Sequence, residues 1–321
     1  FCMVVIGGIT RLTGSGLSIT EWNVIMGTLP PMDDQQWQQA FEKYQQIPQF
    51  KEVNSHFGLS DFKGIFWWEY IHRLVGRLIG IVFIVPFFYF LIARKLDKGT
   101  IRKSILLFLL GGLQGFLGWF MVKSGLSELT SVSHIRLAIH LTTAFITFGF
   151  TFWFALQSTR SNPSVFQDRR VNTWLKVLLA VVVVQLVYGA FVAGLHAGKM
   201  FNTFPLMNGQ FIPENMWLQV FGAGNISSNP VTVQFLHRFF AFAITFLVAV
   251  IYLKVRNSNA DRGQKSSIDF LAITLLFQVS LGILTILYQA PIILSSLHQI
   301  SAFFLFSAVL LSIHRFRIAE N

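Results

Sequence analysis

Four histidines occupy matched positions in the two halves of the chain: His72, His140, His237 and His298. Each lies about six or seven residues inside an apolar run, which on a helix is about 10 Å from its start. Imidazoles in an apolar setting, without carboxylate or thiolate ligands, favour haem iron over zinc or calcium. Each histidine alone could instead hydrogen-bond to a neighbouring helix. The matched set favours two bis-histidine haem sites, one in each half.

An acidic residue distinguishes the first half from the second. Glu69 lies three residues before His72, so the two side chains share one face of a helix. The matched position before His237 is Gln234. A carboxylate can accept and donate a proton at a chemical step, whereas an amide cannot. We therefore predict that Glu69 is catalytic, and that the second half carries a helper cofactor.

Four arginines also lie within the apolar runs: Arg73, Arg77, Arg136 and Arg238. The guanidinium group suits carboxylates, which predicts pairing with the propionates of bound haem. The alternative is that these side chains reach towards the membrane interface. Glu69 could also pair with one of the two arginines that follow it.

The composition indicates a polytopic membrane protein. The 321 residues are 53% hydrophobic and 12% charged, against about 25% charged in a typical soluble domain. Most Lys and Arg residues follow every second apolar run or lie in the C-terminal tail. The net charge of +11 therefore reflects the positive-inside rule, with both termini inside, and no nucleic-acid partner is expected. A single cysteine, Cys2, excludes an internal disulfide.

We predict eight transmembrane helices. The first ends near Ile9, and we expect it to be truncated because a spanning helix needs about 20 residues. A long polar segment, 10–65, follows it and contains an amphipathic stretch around DDQQWQQAFEKYQQ. The other seven predicted spans cover residues 66–93, 104–122, 133–156, 172–194, 231–253, 268–288 and 292–313.

The two halves repeat one another. EYIHRLVGRLIG aligns with QFLHRFFAFAIT, and LQGFLGW aligns with FQVSLGI, which matches Gln114 to Gln278. Four spans match four spans in the same direction, so the repeat is parallel, with its axis along the membrane normal. We expect an all-α protein made of two pseudo-twofold-related parallel four-helix bundles, 1–156 and 172–314, joined by an inner loop at 157–171.

Several stretches together resemble the heme A synthase family over nearly the whole length. They are ITRLTGSGLSITEWNVIMGTLPP, FWWEYIHRLVGRLIG, QGFLGWFMVKSGL, RLAIHL, YGAFVAGLHAGKMFNTFPLM and NPVTVQFLHR. The likeness is to the mitochondrial and proteobacterial-like subgroup, because the outer-loop cysteine pair of the other subgroup is lacking.

The resemblance implies oxidation of the C8 methyl of heme O to a formyl group by successive hydroxylations, as part of cytochrome oxidase assembly. It implies that Glu69 is the functional acidic residue and that His72 and His140 flank the heme O substrate. His237 and His298 would then ligate a haem b cofactor.

The same resemblance also predicts the partners of the protein and its cellular location. The expected partners are heme O, heme O synthase, an unidentified electron donor and membrane lipid, with homo-oligomerisation left open. The expected location is the bacterial cytoplasmic membrane, or alternatively the mitochondrial inner membrane, with the haem sites towards the outer face.

Two other functions remain open at this point. A di-haem b-type electron carrier would also use four intramembrane histidines. However, the four histidines lie at one depth, which argues against electron transfer across the membrane. A haem transporter or chaperone would bind haem reversibly and would not need Glu69.

Overall fold

The computed structural model describes residues 1–22, 29–127, 129–159 and 168–317. Within these ranges the regular structure is helical, apart from one isolated antiparallel bridge between Met207 and Gln210. Short 3₁₀ turns cover Ala197–Lys199 and Gln219–Gly224. The α-helices are α1 (Cys2–Leu12), α2 (Asp34–Tyr44), α3 (Pro48–Glu52), α4 (Leu59–Ile92), α5 (Lys98–Ser127), α6 (His134–Ser158), α7 (Arg169–Gly194), α8 (Asn225–Ser228), α9 (Pro230–Arg256), α10 (Arg262–Leu287) and α11 (Ile292–Arg315).

Seven helices among the described residues are long and apolar enough to cross a membrane. They are α4, α5, α6, α7, α9, α10 and α11, and each overlaps a span predicted from the sequence. The remaining predicted span corresponds to α1, which has 11 residues. The all-helical class is therefore confirmed, whereas the count of eight spans and the pseudo-twofold arrangement stay predictions.

The chain divides into two compact units, Phe1–Thr147 and Phe148–Asn321. We refer to them as unit 1 and unit 2. The division falls within α6, whereas the sequence predicts bundles at 1–156 and 172–314, and those boundaries stay a prediction. The predicted connecting loop at 157–171 falls in part on residues 160–167, which lie outside the described ranges.

In unit 1, the predicted amphipathic stretch forms α2 and covers the start of α4. The Asp33 side chain accepts a hydrogen bond from the Gln36 backbone N–H (2.8 Å), which caps the helix. The apolar face of α2 carries Trp37 and Phe41, whose rings lie 4.9 Å from Phe66 and 5.3 Å from Phe62, centre to centre. This aromatic cluster fixes the turn of α4 that immediately precedes Glu69.

In unit 2, side-chain caps define where the long helices begin. Asp168 caps α7, and Asp261 forms a capping box with Gln264 at the start of α10. Asn229 accepts from the Val231 N–H (3.0 Å) at the start of α9. Pro230, next in sequence, has the backbone angle that a first helical turn requires. This start fixes the depth of His237 along α9.

Candidate functional site

In unit 1, His72 and His140 each face a glycine on a neighbouring helix. His72, on α4, faces Gly7 on α1, where a Cβ atom would lie 2.8 Å from the imidazole Cε1. His140, on α6, faces Gly118 on α5, with a corresponding distance of 3.4 Å. The Nδ1 atoms of both histidines are buried and have no hydrogen-bond partner within the described ranges. The two side chains are close enough to interact electrostatically, so the fold brings this predicted pair together.

In unit 2, His237 and His298 form the corresponding pair. His237, on α9, faces Gly189 on α7, and His298, on α11, faces Gly282 on α10. The two imidazole ring centres lie 6.5 Å apart, with their planes at 76° to each other. The fold therefore brings the second predicted pair together as well.

Two glutamines lie beside the histidines of unit 2. Nδ1 of His298 lies 3.1 Å from the Gln278 carbonyl oxygen. A carbonyl only accepts, so Nδ1–H donates and the lone pair of His298 is on Nε2, the nitrogen that is then able to bind a metal. The side-chain Nε2 of Gln278 lies 3.3 Å from Nε2 of His298. Similarly, the side-chain Nε2 of Gln185 lies 3.5 Å from Nε2 of His237. Gln185 is not among the site residues predicted from the sequence, although an amide within the apolar run VVVVQLVYG is a signal that could have found it.

The distance between the two ring centres in unit 2 is close to that expected for two imidazoles on one metal ion. A metal–imidazole bond is about 2.0–2.1 Å, and a ring nitrogen lies about 1.1 Å from its ring centre, so two opposed imidazoles on one ion have centres about 6.3 Å apart. The observed separation is 6.5 Å. Across the described part of the chain, no group of three or more His, Cys, Asp or Glu side chains could hold a metal ion. Two histidines are fewer protein ligands than a zinc ion usually takes, whereas haem iron accepts histidine ligands.

Glu69 is fully hydrogen-bonded and almost inaccessible, with 2% of its surface exposed. Oε2 accepts from the Ser18 hydroxyl (2.7 Å) and from the Ile19 backbone N–H (2.9 Å). Oε1 accepts from Nη2 (2.6 Å) and Nε (3.1 Å) of Arg73. The pairing with Arg73, which the sequence left as an alternative, is therefore present in the fold.

Arg73 also holds the segment that follows α1. Its Nη2 donates to the Ile19 carbonyl (2.9 Å) and its Nη1 donates to the Glu21 carbonyl (3.0 Å). The guanidinium carbon lies 4.7 Å from the ring centre of Trp22. We call Glu69 and Arg73 the first loop clamp, because together they fix this segment to α4.

Unit 2 contains a similar arrangement at the same offsets from its first histidine. Nε2 of Gln234 donates to the Phe201 carbonyl (3.1 Å). Arg238 donates to the same carbonyl (2.7 Å) and to the Thr203 carbonyl (2.8 Å). We call Gln234 and Arg238 the second loop clamp, because they fix the segment that follows α7 to α9.

The two remaining predicted site residues, Arg136 and Arg77, lie in unit 1, as does Gln114 of the repeat. Nη1 of Arg136 donates to the Phe120 carbonyl (2.7 Å), and its guanidinium carbon lies 3.9 Å from the ring centre of the same residue. Arg77 is partly buried on α4, one turn after Arg73. Gln114 lies on α5, one turn before Gly118, and its Nε2 is a buried donor without a partner in the described segments.

The whole chain resembles one family of membrane enzymes. Residues 1–310 match the COX15-CtaA family model, described as cytochrome oxidase assembly protein. The chain belongs to this family. Curated relatives include the heme A synthase of Flavobacterium johnsoniae, 45% identical over 98% of this chain and 94% of the relative. The heme A synthases of Nitrosomonas eutropha and Paracoccus denitrificans are each 42% identical, over 97% and 98% of this chain and 88% and 84% of the relative.

Family membership confirms the resemblance seen in the sequence. With seven candidate spans in its described residues, this member of the family is an integral, multi-pass membrane protein.

Proposed function

We propose that this chain is an oxidoreductase that converts heme O to heme A. The observation that carries the proposal is the similarity to curated heme A synthases over 98% of the chain at 45% identity. The site supports it, because each of the two units brings together one pair of partly buried histidines. The expected location is the bacterial cytoplasmic membrane, with the haem sites towards the outer face. Heme O synthase and an electron donor are the proposed partners.

The two histidine pairs are assigned different roles. His237 and His298 would hold haem b as axial ligands, and His72 and His140 would flank the heme O substrate. Haem iron, when bound, supplies the one-electron and O₂ chemistry that oxidation of a methyl group requires. The protein binds and orients both groups and excludes water from an apolar interior.

Glu69 is the proposed acid–base residue of unit 1. Its Oε2 accepts a hydrogen bond from the Ser18 hydroxyl (2.7 Å), and a carboxylate is a group that can take up and return a proton. Arg73 supplies a counter-charge on the other oxygen, Oε1. Gln234, at the equivalent position in unit 2, has no such capacity. The chemical step is therefore assigned to unit 1.

We propose that intramembrane arginines bind the haem propionates, and the backbone contacts of the four arginines distinguish the better candidates. Arg73 and Arg238 direct several donors to backbone carbonyls. Those contacts favour a structural role for both residues. Arg136 donates to a single backbone carbonyl, that of Phe120, and we propose Arg136 and Arg77 as the better candidates for pairing with haem carboxylates.

The experiment that tests the function is haem extraction and mass spectrometry on protein made in cells that supply heme O. We expect heme A, or its hydroxylated precursor, with the wild type, and accumulation of heme O with Glu69→Ala. Haem b alone in both proteins would overturn the proposal and favour the electron carrier. Heme A formation by a Glu69→Gln variant at the wild-type level would remove the acid–base role from Glu69. Wild-type protein that binds and releases heme O without oxidising it would favour a transporter or chaperone.

A further inference from the structure

Each of the four candidate ligand histidines lies against a glycine of an adjacent helix within its own unit. We propose that these four glycines are positioning residues, which leave the space that sets the position of each imidazole at its haem. The inference rests on the proposed function for the identity of the haem groups. The pairs are Gly7 with His72, Gly118 with His140, Gly189 with His237, and Gly282 with His298.

In all four pairs the glycine faces the same edge of the imidazole. The nearest atom to a Cβ added at the glycine is Cε1, the carbon that lies between the two ring nitrogens. A side chain there would press on that edge and move both nitrogens together.

The four contacts fall into two classes by distance. A Cβ would lie 2.8 Å from Cε1 at Gly7 and 2.9 Å at Gly282, so an added methyl group there must displace the ring. The distance is 3.4 Å at both Gly118 and Gly189, at the limit of ordinary van der Waals contact, so the ring there would move by a few tenths of an ångström at most. Each unit therefore holds one histidine tightly and the other with more tolerance.

General close packing of helices does not explain these glycines. Glycine is unfavourable inside helices, and small residues in membrane helices often serve helix–helix contact. At Gly7, Gly118 and Gly282, however, all three of the closest atoms belong to the facing imidazole. Gly112 and Gly115, on the same helix as Gly118, have no atom within 4 Å of an added Cβ. The space at the four positions is therefore occupied by the histidine ring.

The test uses unit 2, whose haem b would be purified with the protein. Three variants, Gly282→Ala, Gly189→Ala and Gly115→Ala, are compared with the wild type in detergent. Haem b per protein is measured by the pyridine haemochromogen assay, and the low-spin haem signal by electron paramagnetic resonance. Gel filtration establishes that each protein is monodisperse.

We expect Gly282→Ala to bind haem b about 10–100-fold more weakly, the range typical when a group that orients a metal ligand is lost. Gly189→Ala should retain haem b with a shifted low-spin signal, because the altered ring position changes ligation. Gly115→Ala should match the wild type in both measurements.

Haem b content and spectra in Gly282→Ala that equal those of Gly115→Ala would overturn the inference. If Gly282→Ala is not monodisperse, the spectrum of Gly189→Ala decides, and an unshifted signal overturns it. A monodisperse wild-type protein without haem b would instead overturn the proposed function.

Discussion

Replacing Glu69 by Gln separates its role in the first loop clamp from its proposed role in chemistry. The carboxylate accepts four hydrogen bonds, two at each oxygen, from Ser18, Ile19 and Arg73. An amide has one acceptor oxygen and one donor NH₂ group. In either orientation, NH₂ faces at least one N–H donor. Arg73, with 10% of its side chain exposed, loses its counter-charge in both.

The magnitude follows from the burial of the pair. Removing one partner of a buried ion pair costs about 3–5 kcal/mol. At about 2 °C per kcal/mol for a large domain, Tm should fall by about 6–10 °C. The contact from Oε2 to the backbone of Ile19 is also lost or weakened. The segment that follows α1 should then open more often, independently of any chemical step.

The assay combines thermal unfolding in detergent with hydrogen–deuterium exchange of peptides from residues 13–22. Glu69→Gln should lower Tm and speed exchange in these peptides. Glu21→Gln is the matched control, because it makes the same substitution in an ion pair with Lys43 whose side chains are 53% and 54% exposed. An exposed pair contributes about 0–1 kcal/mol, so the control should show little change.

One result would refute the clamp argument. If Glu69→Gln abolishes heme A formation while its Tm and exchange match those of Glu21→Gln, the hydrogen bonds of Glu69 do not stabilise the segment. The role of Glu69 would then be chemical alone.

Three further predictions concern ligation, packing and alkaline stability. His237→Ala should lower haem b per protein by more than about tenfold in the haemochromogen assay, because an axial ligand is lost. The control His196→Ala, in the turn after α7, should leave haem b per protein unchanged. Equal loss of haem b in the two variants would contradict the assignment of His237 as a haem ligand. Gly125→Ala should lower Tm, since its Cβ would lie 2.7 Å from Leu17 Cδ1 and overpacking costs about 1–3 kcal/mol; an unchanged Tm would contradict it. Burial raises the pKa of Tyr44, so the unfolded chain loses this proton at a lower pH and stability falls as pH rises above about 10. Tyr44→Phe should flatten that fall in unfolding measurements, and an identical pH dependence would count against the argument.

The positions of the long helices could be predicted from hydropathy alone, and the start of α4 shows the limit of that approach. The sequence predicts a span from residue 66, whereas the helix begins at Leu59. Apolar composition marks the length that suits a bilayer, not the first helical residue. The two additional turns form because Phe62 and Ile65 are buried against the cluster that includes α2.

The matched histidines were predictable because a repeat makes them visible, but their surroundings were not. The loop clamps use backbone carbonyls of irregular segments, such as those of Ile19 and Phe201. No local pattern indicates where those carbonyls lie. Gln185 meets His237 only after α7 and α9 have packed together. Contacts that depend on the packing of distant segments therefore could not be predicted from the sequence.

The difference between Glu69 and Gln234 also has a structural reason that the sequence alone does not contain. In unit 1, the segment after α1 presents donors to this position, the Ser18 hydroxyl and the Ile19 N–H, and these require an acceptor. In unit 2, the segment after α7 presents the Phe201 carbonyl, which requires a donor. A carboxylate satisfies the first and an amide satisfies the second. Hydrogen bonding to the two loop segments is therefore enough to explain why unit 1 has a carboxylate and unit 2 an amide at this position. A variant that keeps the loop structure but loses heme A formation would show the acid–base role of Glu69.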